Sequence, residues 1–349
     1  MSQGRKTDHL RICAEMDVEF QRQSTWLEHV QLVHAAVAEV SFDEISTETR
    51  FMGKPLRAPL MITAISGGVK AAEGLNRDLA KVAQKLGIAF GLGSQRPMLQ
   101  DPGMIGSYAV RRYAPDIPIL GNIALQQAAA ADPADVARLV TSIDADGLAV
   151  HLNPAQELNQ TEGDKRFQDG FKTLKSLTRR MPGKVMVKET GCGISREVAQ
   201  GLKTAGVRTL DVAGAGGTSW PRVENLRKGA DPARREWLDD WGIPTAASLW
   251  ETSPLGFTLV GSGGIRNGLD AAKCLVLGAD VAGLALPVLR AYMRGGYDGA
   301  LTCLQDVIAE LKAVMLLVGV QDIPALKRHQ PVITGQLREW INNRSRKQK

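Results

Sequence analysis

A (β/α)8 barrel, an α/β fold, is what this sequence predicts, and three observations predict it. Eight short apolar runs recur between residues 58 and 285: APLMITAI (58–65), IAFGLG (88–93), IPILGNIA (117–124), GLAVHLN (147–153), KVMVKET (184–190), RTLDVAG (208–214), FTLVGSG (257–263) and DVAGLA (280–285). Their starts lie 30, 29, 30, 37, 24, 49 and 23 residues apart, the pace of strand, loop, helix and loop. The runs are continuous rather than alternating, as strands of a parallel sheet covered on both faces must be. Chemistry in such a barrel sits at the carboxyl ends of the strands, so function is expected just past each run.

The elements follow in order. Residues 1–57 form an N-terminal extension, 58–290 the barrel core and 291–349 C-terminal helices with a basic tail, all within one domain. In the extension, FDEISTETRFMGKPLRAP alternates apolar and polar side chains around a Gly-Lys turn, which reads as a hairpin closing the bottom of the barrel. In AEGLNRDLAKVAQKLG, Leu75, Leu79, Val82 and Leu86 share one helical face. Asp132 caps the next helix with Pro133 at its first position, and Val136, Leu139, Val140 and Ile143 form its buried stripe. Ser195 caps a third, with Glu197 in its first turn, and Asn267 opens a helix after the seventh run.

Two segments stand apart. The 49-residue interval after the sixth run carries GAGGTSWPRVENLRKGADPARREWLDDWGIP, a charged insertion that reads either as a lid over residues 215–243 or as a surface excursion. YDGALTCLQDVIAELKAVMLLVG is one long amphipathic helix, richer in apolar residues than a lone surface helix needs. Subunit contacts or packing on the barrel's own outer ring would explain it.

Composition narrows the function classes. No apolar stretch of the 349 residues approaches the ~18 of a membrane span, and MSQGRKTDHLR lacks a secretory apolar core, so a soluble cytoplasmic protein is expected. The net charge of +6 is scattered apart from the tail NNRSRKQK, whereas a nucleic-acid partner would demand basic residues concentrated on one element. A mild positive field favours a small anionic substrate. The four cysteines show neither CxxC pairing nor metal spacing. Cys274 falls in a helical pattern and is assigned to the core; Cys192, in ETGCG after the fifth strand, lies near the expected mouth.

Candidate chemistry gathers at the strand ends. GSGGIRNG (261–268) and GAGGTS (214–219), the latter with Thr218 and Ser219, form neighbouring glycine-rich turns suited to a phosphate, and Ala285-Leu286 closes the adjoining strand. The phosphate is assigned to flavin mononucleotide (FMN). Lys188 ends the fifth run, where an ammonium would stabilise negative charge on the N1–C2 edge of a reduced flavin, or else pair with Glu189. Thr63, Ser94 and Asn122 occupy comparable ends. HLNPAQE concentrates His151, Asn153, Gln156 and Glu157, turned by Pro154; His9, His29, His34 and His329 all lie outside the barrel. Glu157 is a candidate Mg2+ ligand or a solvated loop carboxylate. Arg96 in GSQR and the Arg5-Lys6 pair in RKTDH are the residue types that partner phosphate.

Taken in order, RKTDH, TAISGG, GSQR, GNIALQQ, HLNPAQE, VKETG, VAGAGGTSW and GSGGIRNG make the chain resemble the type 2, flavin-dependent isopentenyl-diphosphate isomerases over essentially its whole length. The resemblance implies interconversion of isopentenyl and dimethylallyl diphosphates with reduced FMN and Mg2+, with NADPH or NADH supplying electrons and no net redox change. It implies a homotetramer without nucleic-acid or membrane partners. It places FMN against Ala64, Ile65, Ser66, Ser94, Asn122, Lys188, Thr218, Gly263, Gly264, Ala285 and Leu286, beside Thr63. Substrate would meet Arg5, Lys6, Ser94, Gln95, Arg96, His151, Asn153 and Gln156. Glu157 would hold the metal, and His151, Gln156 and Glu157 would carry the catalysis. Ile65-Ser66 stands where the family commonly shows Met-Thr, and Gln95 where it often shows Met.

Two rivals fit parts of the pattern. An oxidising FMN barrel would share the glycine turns, but hydroxy-acid oxidases need a late histidine base, and none lies between His151 and His329. A non-catalytic flavin-binding barrel would not need HLNPAQE, Arg96 and Arg5-Lys6 to converge on one anion.

Overall fold

The computed structural model describes residues 2–68, 70–229 and 234–346. Eight parallel strands form a closed barrel: β1 (Leu60–Ile62), β2 (Ala89–Gly91), β3 (Ile119–Ala124), β4 (Gly147–His151), β5 (Val185–Lys188), β6 (Thr209–Asp211), β7 (Thr258–Ser262) and β8 (Val281–Leu284). They pair in chain order, and β8 returns to β1 through Ala282–Leu60, Gly283–Met61 and Leu284–Ile62. Each strand falls inside one of the eight apolar runs.

Successive side chains of a strand point to opposite faces, so one strand feeds both the interior and the helical jacket. The outward set, including Leu60, Ile62, Phe90, Ile123, Val150, Val187, Leu210 and Leu259, is buried under the helices. The inward set, Met61, Ala89, Leu120, Ala149, Met186, Val260 and Val281, forms a separate cluster inside the barrel. Two residues further along, the interior changes character: Met61 gives way to Thr63, Leu120 to Asn122, Ala149 to His151, Met186 to Lys188 and Val260 to Ser262. The barrel is therefore an apolar plug with a polar upper layer.

The predicted hairpin closes the lower end. Residues 49–51 pair antiparallel with 54–56, and Phe51 and Leu56 join the interior cluster. Met52 (φ 48) and Gly53 (φ 80) both take left-handed conformations, as a two-residue hairpin turn of the primed type requires. The turn is thus Met52-Gly53 rather than Gly-Lys, and the Met52 side chain packs against the same cluster.

The helices obey the expected start signals. The Asp132 carboxylate accepts from the Ala134 N–H at 2.6 Å to open Pro133–Thr141. Ser195 accepts from Val198 N–H at 3.4 Å, and Asn267 accepts from Asp270 N–H at 2.8 Å, opening Arg196–Thr204 and Gly268–Val276. The segment after β8 is helical from Leu286 to Leu317, broken at Gly295 and Gly296. Its apolar stripe is satisfied within the chain: Leu311 and Met315 pack on Ala272, Leu275 and Val276 of the preceding helix. Packing on the barrel's own ring therefore accounts for the buried part of that stripe, while Leu317 is exposed.

The termini meet. Val30–Gln31 pairs antiparallel with Val332–Ile333, and Trp26 packs edge-on against Trp340 at 5.8 Å. Ser2–Glu15 is a helix that lies at the mouth of the barrel and carries buried Ile12 and Cys13. The long insertion contains the helix Trp220–Lys228, and Asp240 accepts from the N–H groups of Gln21 and Arg22, both at 2.8 Å. Residues 230–233 of the insertion lie outside the described residues. Among those described, no helix is long and apolar enough to cross a membrane.

Phe51 is 1% exposed at the barrel floor, so Phe51→Ala should cost about 3–5 kcal/mol of stability. Denaturant unfolding measures this, and a loss below about 1 kcal/mol would show that the hairpin is not part of the core.

Candidate active site

A cavity opens at the carboxyl ends of the strands. It takes in Thr63, Ala64, Ile65 and Ser66 after β1, Ser94 and Arg96 after β2, Asn122 of β3, and His151, Asn153, Gln156 and Glu157 at β4. Lys188 of β5, Thr218 after β6, Gly263 and Gly264 after β7, and Ala285 and Leu286 after β8 complete that rim. Arg5 and Lys6 reach it from the N-terminal helix.

Gln95 is the exception among the expected contacts. Its side chain is fully buried in the wall, where Oε1 accepts from Asn122 N–H at 2.9 Å and Nε2 donates to the Leu139 carbonyl at 3.0 Å. It therefore aligns β3 instead of meeting a ligand. Cys192 also lies off the cavity; its N–H serves the Glu189 carboxylate, and burial pushes its thiol well above the ordinary range.

The two glycine turns pack backbone against backbone. A Cβ added to Gly263 would strike Gly214, and one on Gly217 would strike the Gly264 N–H. Gly263 (φ 98) and Gly264 (φ 79) also hold conformations that disfavour side chains. Thr245 donates to the Gly263 carbonyl at 2.6 Å and fixes the turn. The result is a rim of bare backbone, the surface a phosphate needs for close approach. Arg266 adds a cation there, and its Nε donates to Glu19 at 3.1 Å.

At β4 the polar layer is held from all sides. His151 Nδ1 lies 2.7 Å from Asn122 Oδ1, and an amide oxygen only accepts, which assigns the ring proton to Nδ1. Burial, reinforced by Lys188 and Lys6, lowers the His151 pKa to about 3, so the ring is neutral and Nε2 is left as an acceptor. Asn153 Nδ2 donates to Glu157 Oε1 at 2.9 Å and to Gln156 Oε1 at 3.3 Å. Glu157 Oε2 accepts from Asp164 N–H at 2.7 Å. Lys188 donates to the Glu189 carbonyl, not to the Glu189 carboxylate, which is turned onto the N–H groups of Thr190 and Cys192. Burial raises Glu189 to about 7.

Next to this layer, beside the expected Arg5 and Lys6, stand residues that sequence reasoning missed. Arg5, Lys6, His9, Leu10 and Cys13 all line the cavity from one face of the first helix. His9 Nε2 is 2.9 Å from Glu224 Oε1, the same oxygen that Gln156 Nε2 approaches at 3.4 Å, while Arg227 Nε donates to Glu224 Oε2 at 2.8 Å. Burial acts to raise the Glu224 pKa, but His9 and Arg227 outweigh it and hold the carboxylate below its usual range. Trp220 packs edge-on to His9 at 5.2 Å. The signal was present: His9 follows Arg5 by one helical turn, and Trp220 and Glu224 are spaced likewise.

Lys6 Nζ donates to the carbonyls of Gly67 and Ser94, the latter at 3.1 Å. Burial, with Arg5 and Arg96 adding to it, lowers its pKa to about 7. Three cations thus converge on one corner, across from a neutral histidine and above the Lys188 layer.

Likeness to known proteins places the chain in a family. The family model for FMN-dependent dehydrogenases matches residues 116–332. The isopentenyl-diphosphate delta-isomerase of Methanothermobacter thermautotrophicus is 42% identical over 346 residues, covering 99% of this chain and 97% of the relative. That of Aeropyrum pernix is 41% identical, covering 96% and 91%. Among solved structures, a flavocytochrome b2 variant with sulfite bound superposes with TM-score 0.67 at 15% identity, covering 92% of this chain and 81% of that one. A mandelate oxidase mutant does so with TM-score 0.64 at 14% identity, covering 93% and 95%. Those two likenesses concern the fold alone. With the relatives aligned end to end and the FMN family matched over residues 116–332, the chain belongs to the isopentenyl-diphosphate delta-isomerases, in their FMN-dependent type 2 form.

Proposed function

We propose that this enzyme interconverts isopentenyl diphosphate and dimethylallyl diphosphate, using reduced FMN and Mg2+ with NADPH or NADH as electron donor. The observation that carries the reading is the convergence of Arg5, Lys6 and Arg96 beside His151, Gln156 and Glu157 in one cavity. A cytoplasmic homotetramer is proposed with it, on family likeness.

The residues fit both groups. For FMN, the rim at Gly217, Gly263 and Gly264 has no room for a Cβ, and Thr63, Asn122, Lys188 and Ser262 supply polar contacts below it. For Mg2+, no set of three His, Cys, Asp or Glu among the described residues could hold a metal unaided. Glu157 faces the cavity with its orientation fixed from both oxygens, which suits an ion that takes one carboxylate and completes its shell with phosphate and water.

When bound and reduced, FMN supplies an electron-rich face against which a cationic hydrocarbon is stabilised. The chain does the rest. Arg5, Lys6 and Arg96 grip the diphosphate, and that remote binding energy positions the alkene. His151, neutral, offers Nε2 as an acceptor to a protonated diphosphate oxygen or to a bound water, without competing as an acid. Gln156, held between Asn153 and Glu224, orients a water through which the Glu157 carboxylate passes the proton. The helix Trp220–Lys228 and the N-terminal helix keep bulk water from the cation. Oxidation of a hydroxy acid lacks its histidine: His329 is occupied on the terminal sheet, accepting from Val33 N–H at 3.1 Å.

Incubation of isopentenyl diphosphate anaerobically with reduced FMN, Mg2+ and deuterated solvent should give dimethylallyl diphosphate carrying deuterium. In a parallel incubation with oxidised FMN, stoichiometric flavin reduction with an oxidised product would replace this reading by a dehydrogenase. Glu157→Gln should raise the Mg2+ concentration for half-maximal rate by about tenfold or more; an unchanged metal dependence removes Glu157 as ligand. Lys6 adds a pH test. Its lowered pKa of about 7 in the free protein means that an arriving anion restores the ammonium. Calorimetry of inorganic pyrophosphate in buffers of different ionisation enthalpy should show an uptake larger by about one proton in wild type than in Lys6→Met near pH 8, with little difference near pH 6, the comparison cancelling the ligand's own protons. Equal uptake at pH 8 would take Lys6 out of the phosphate corner.

A further inference from the structure

Asp211 ends β6 and is the direct register partner of Lys188 on β5. It is 0% exposed. Its Oδ1 accepts from Ser262 Oγ at 2.7 Å and from Ala213 N–H at 3.2 Å, whereas Oδ2 is buried with no partner among the described residues. Burial raises the pKa of this carboxylate while Lys188, Ser262 and Ala213 act to lower it, and a protonated Oδ2 would need an acceptor that is absent among the described residues. An ionised one needs a positive charge near it, because a lone buried carboxylate is heavily penalised.

The charges around Lys188 point the same way. His151 on β4 is neutral and Lys6 from the first helix is a further cation, so neither offsets an ammonium. The other nearby carboxylate, Glu189, is engaged with the N–H groups of Thr190 and Cys192. Asp211 is left with an open oxygen, inside the barrel and level with Lys188.

We propose that Asp211 is the fixed counter-charge of Lys188, a positioning residue that keeps the ammonium ionised and inside the barrel beneath the flavin. The inference rests on the flavin reading above. Asp211 does not line the cavity and touches no ligand; it acts through Lys188. The pair is neutral overall, so the ring meets an oriented ammonium without a large net field from below.

The test compares wild type, Asp211→Asn, Lys188→Met and the double variant, each as purified protein reconstituted with FMN. The readout is the ratio of affinities for reduced and oxidised FMN from about pH 6 to 9, taken relative to wild type so that Lys6 and Glu189 cancel. Asp211→Asn leaves the ammonium uncompensated and should raise this ratio about tenfold at pH 6. The excess should fade as pH rises, because Lys188 then loses its proton more readily. Lys188→Met should lower the ratio, and the double variant should return close to wild type without the pH slope. A folded Asp211→Asn protein with the wild-type ratio throughout would overturn the proposal, as would a pH slope that survives in the double variant. If Asp211→Asn alone does not fold, the charge-neutral double variant should; failure of both would make Asp211 a packing residue and also overturn it. Wild type that does not bind FMN would sink the flavin reading instead, and wild type that binds FMN but does not isomerise would sink only the proposed reaction.

Discussion

The site depends on one change of character inside the barrel, made over a single pleat of the strands. Below it, Met61, Leu120, Met186 and Val260 interlock with alanines and Val281 to make a dry plug. Above it, the same strands present Thr63, Asn122, Lys188 and Ser262. The period of two along a strand ensures that the apolar layer and the polar layer come from the same elements, so neither can shift without the other. The plug anchors the rim: buried polar groups are tolerable there only because rigid strands bring their partners into reach. His151 against Asn122, Ser262 against Asp211 and the Asn122 N–H against Gln95 are such partners.

Around that floor, the rim separates two electrostatic tasks. The phosphate-type turns at Gly214–Gly217 and Gly263–Gly264 use bare backbone, reinforced by Arg266, and need no mobile cation at the ring. The second anion corner is built by Arg5, Lys6 and Arg96 on elements outside the core. Glu157 and Glu224 stand between them, each fixed by two or more donors. Neutral His151 stops the floor from becoming cationic as well.

The eight strands were legible because a sheet buried on both faces leaves no choice but continuous apolar runs. The floor hairpin and the helix caps were legible because turn and cap chemistry is local. The first helix was not, since SQGRKTDHLR has no apolar stripe; it is ordered by Ile12 and Cys13 in the core and by Lys6 and His9 bonding across the mouth. Glu224 read as one charge among many in the insertion, yet it is buried by donors from three separate segments. Gln95 misled in the opposite direction: it sits amid cavity residues, but the N–H of Asn122 turns its side chain into the wall. Spacing along a chain gives the strand end a residue occupies, while its direction is set by partners that are distant in sequence.

That distinction explains why the N-terminal helix and the insertion helix belong to one device. His9 and Arg227 would each be an ordinary polar side chain alone, and Glu224 alone would be an intolerable buried charge. Brought together, they close the mouth beside the Pro154–Asn159 helix that follows β4, and Gln156 is tied to the same carboxylate. The closure therefore ends on a residue of the HLNPAQE segment, so that sealing the cavity and aligning its polar cluster are one event. A barrel with the same floor but an unanchored first helix would keep its flavin-type rim and lose the anion corner. The floor can thus serve many FMN barrels, while the first helix supplies Arg5 and Lys6 to the corner proposed for the diphosphate.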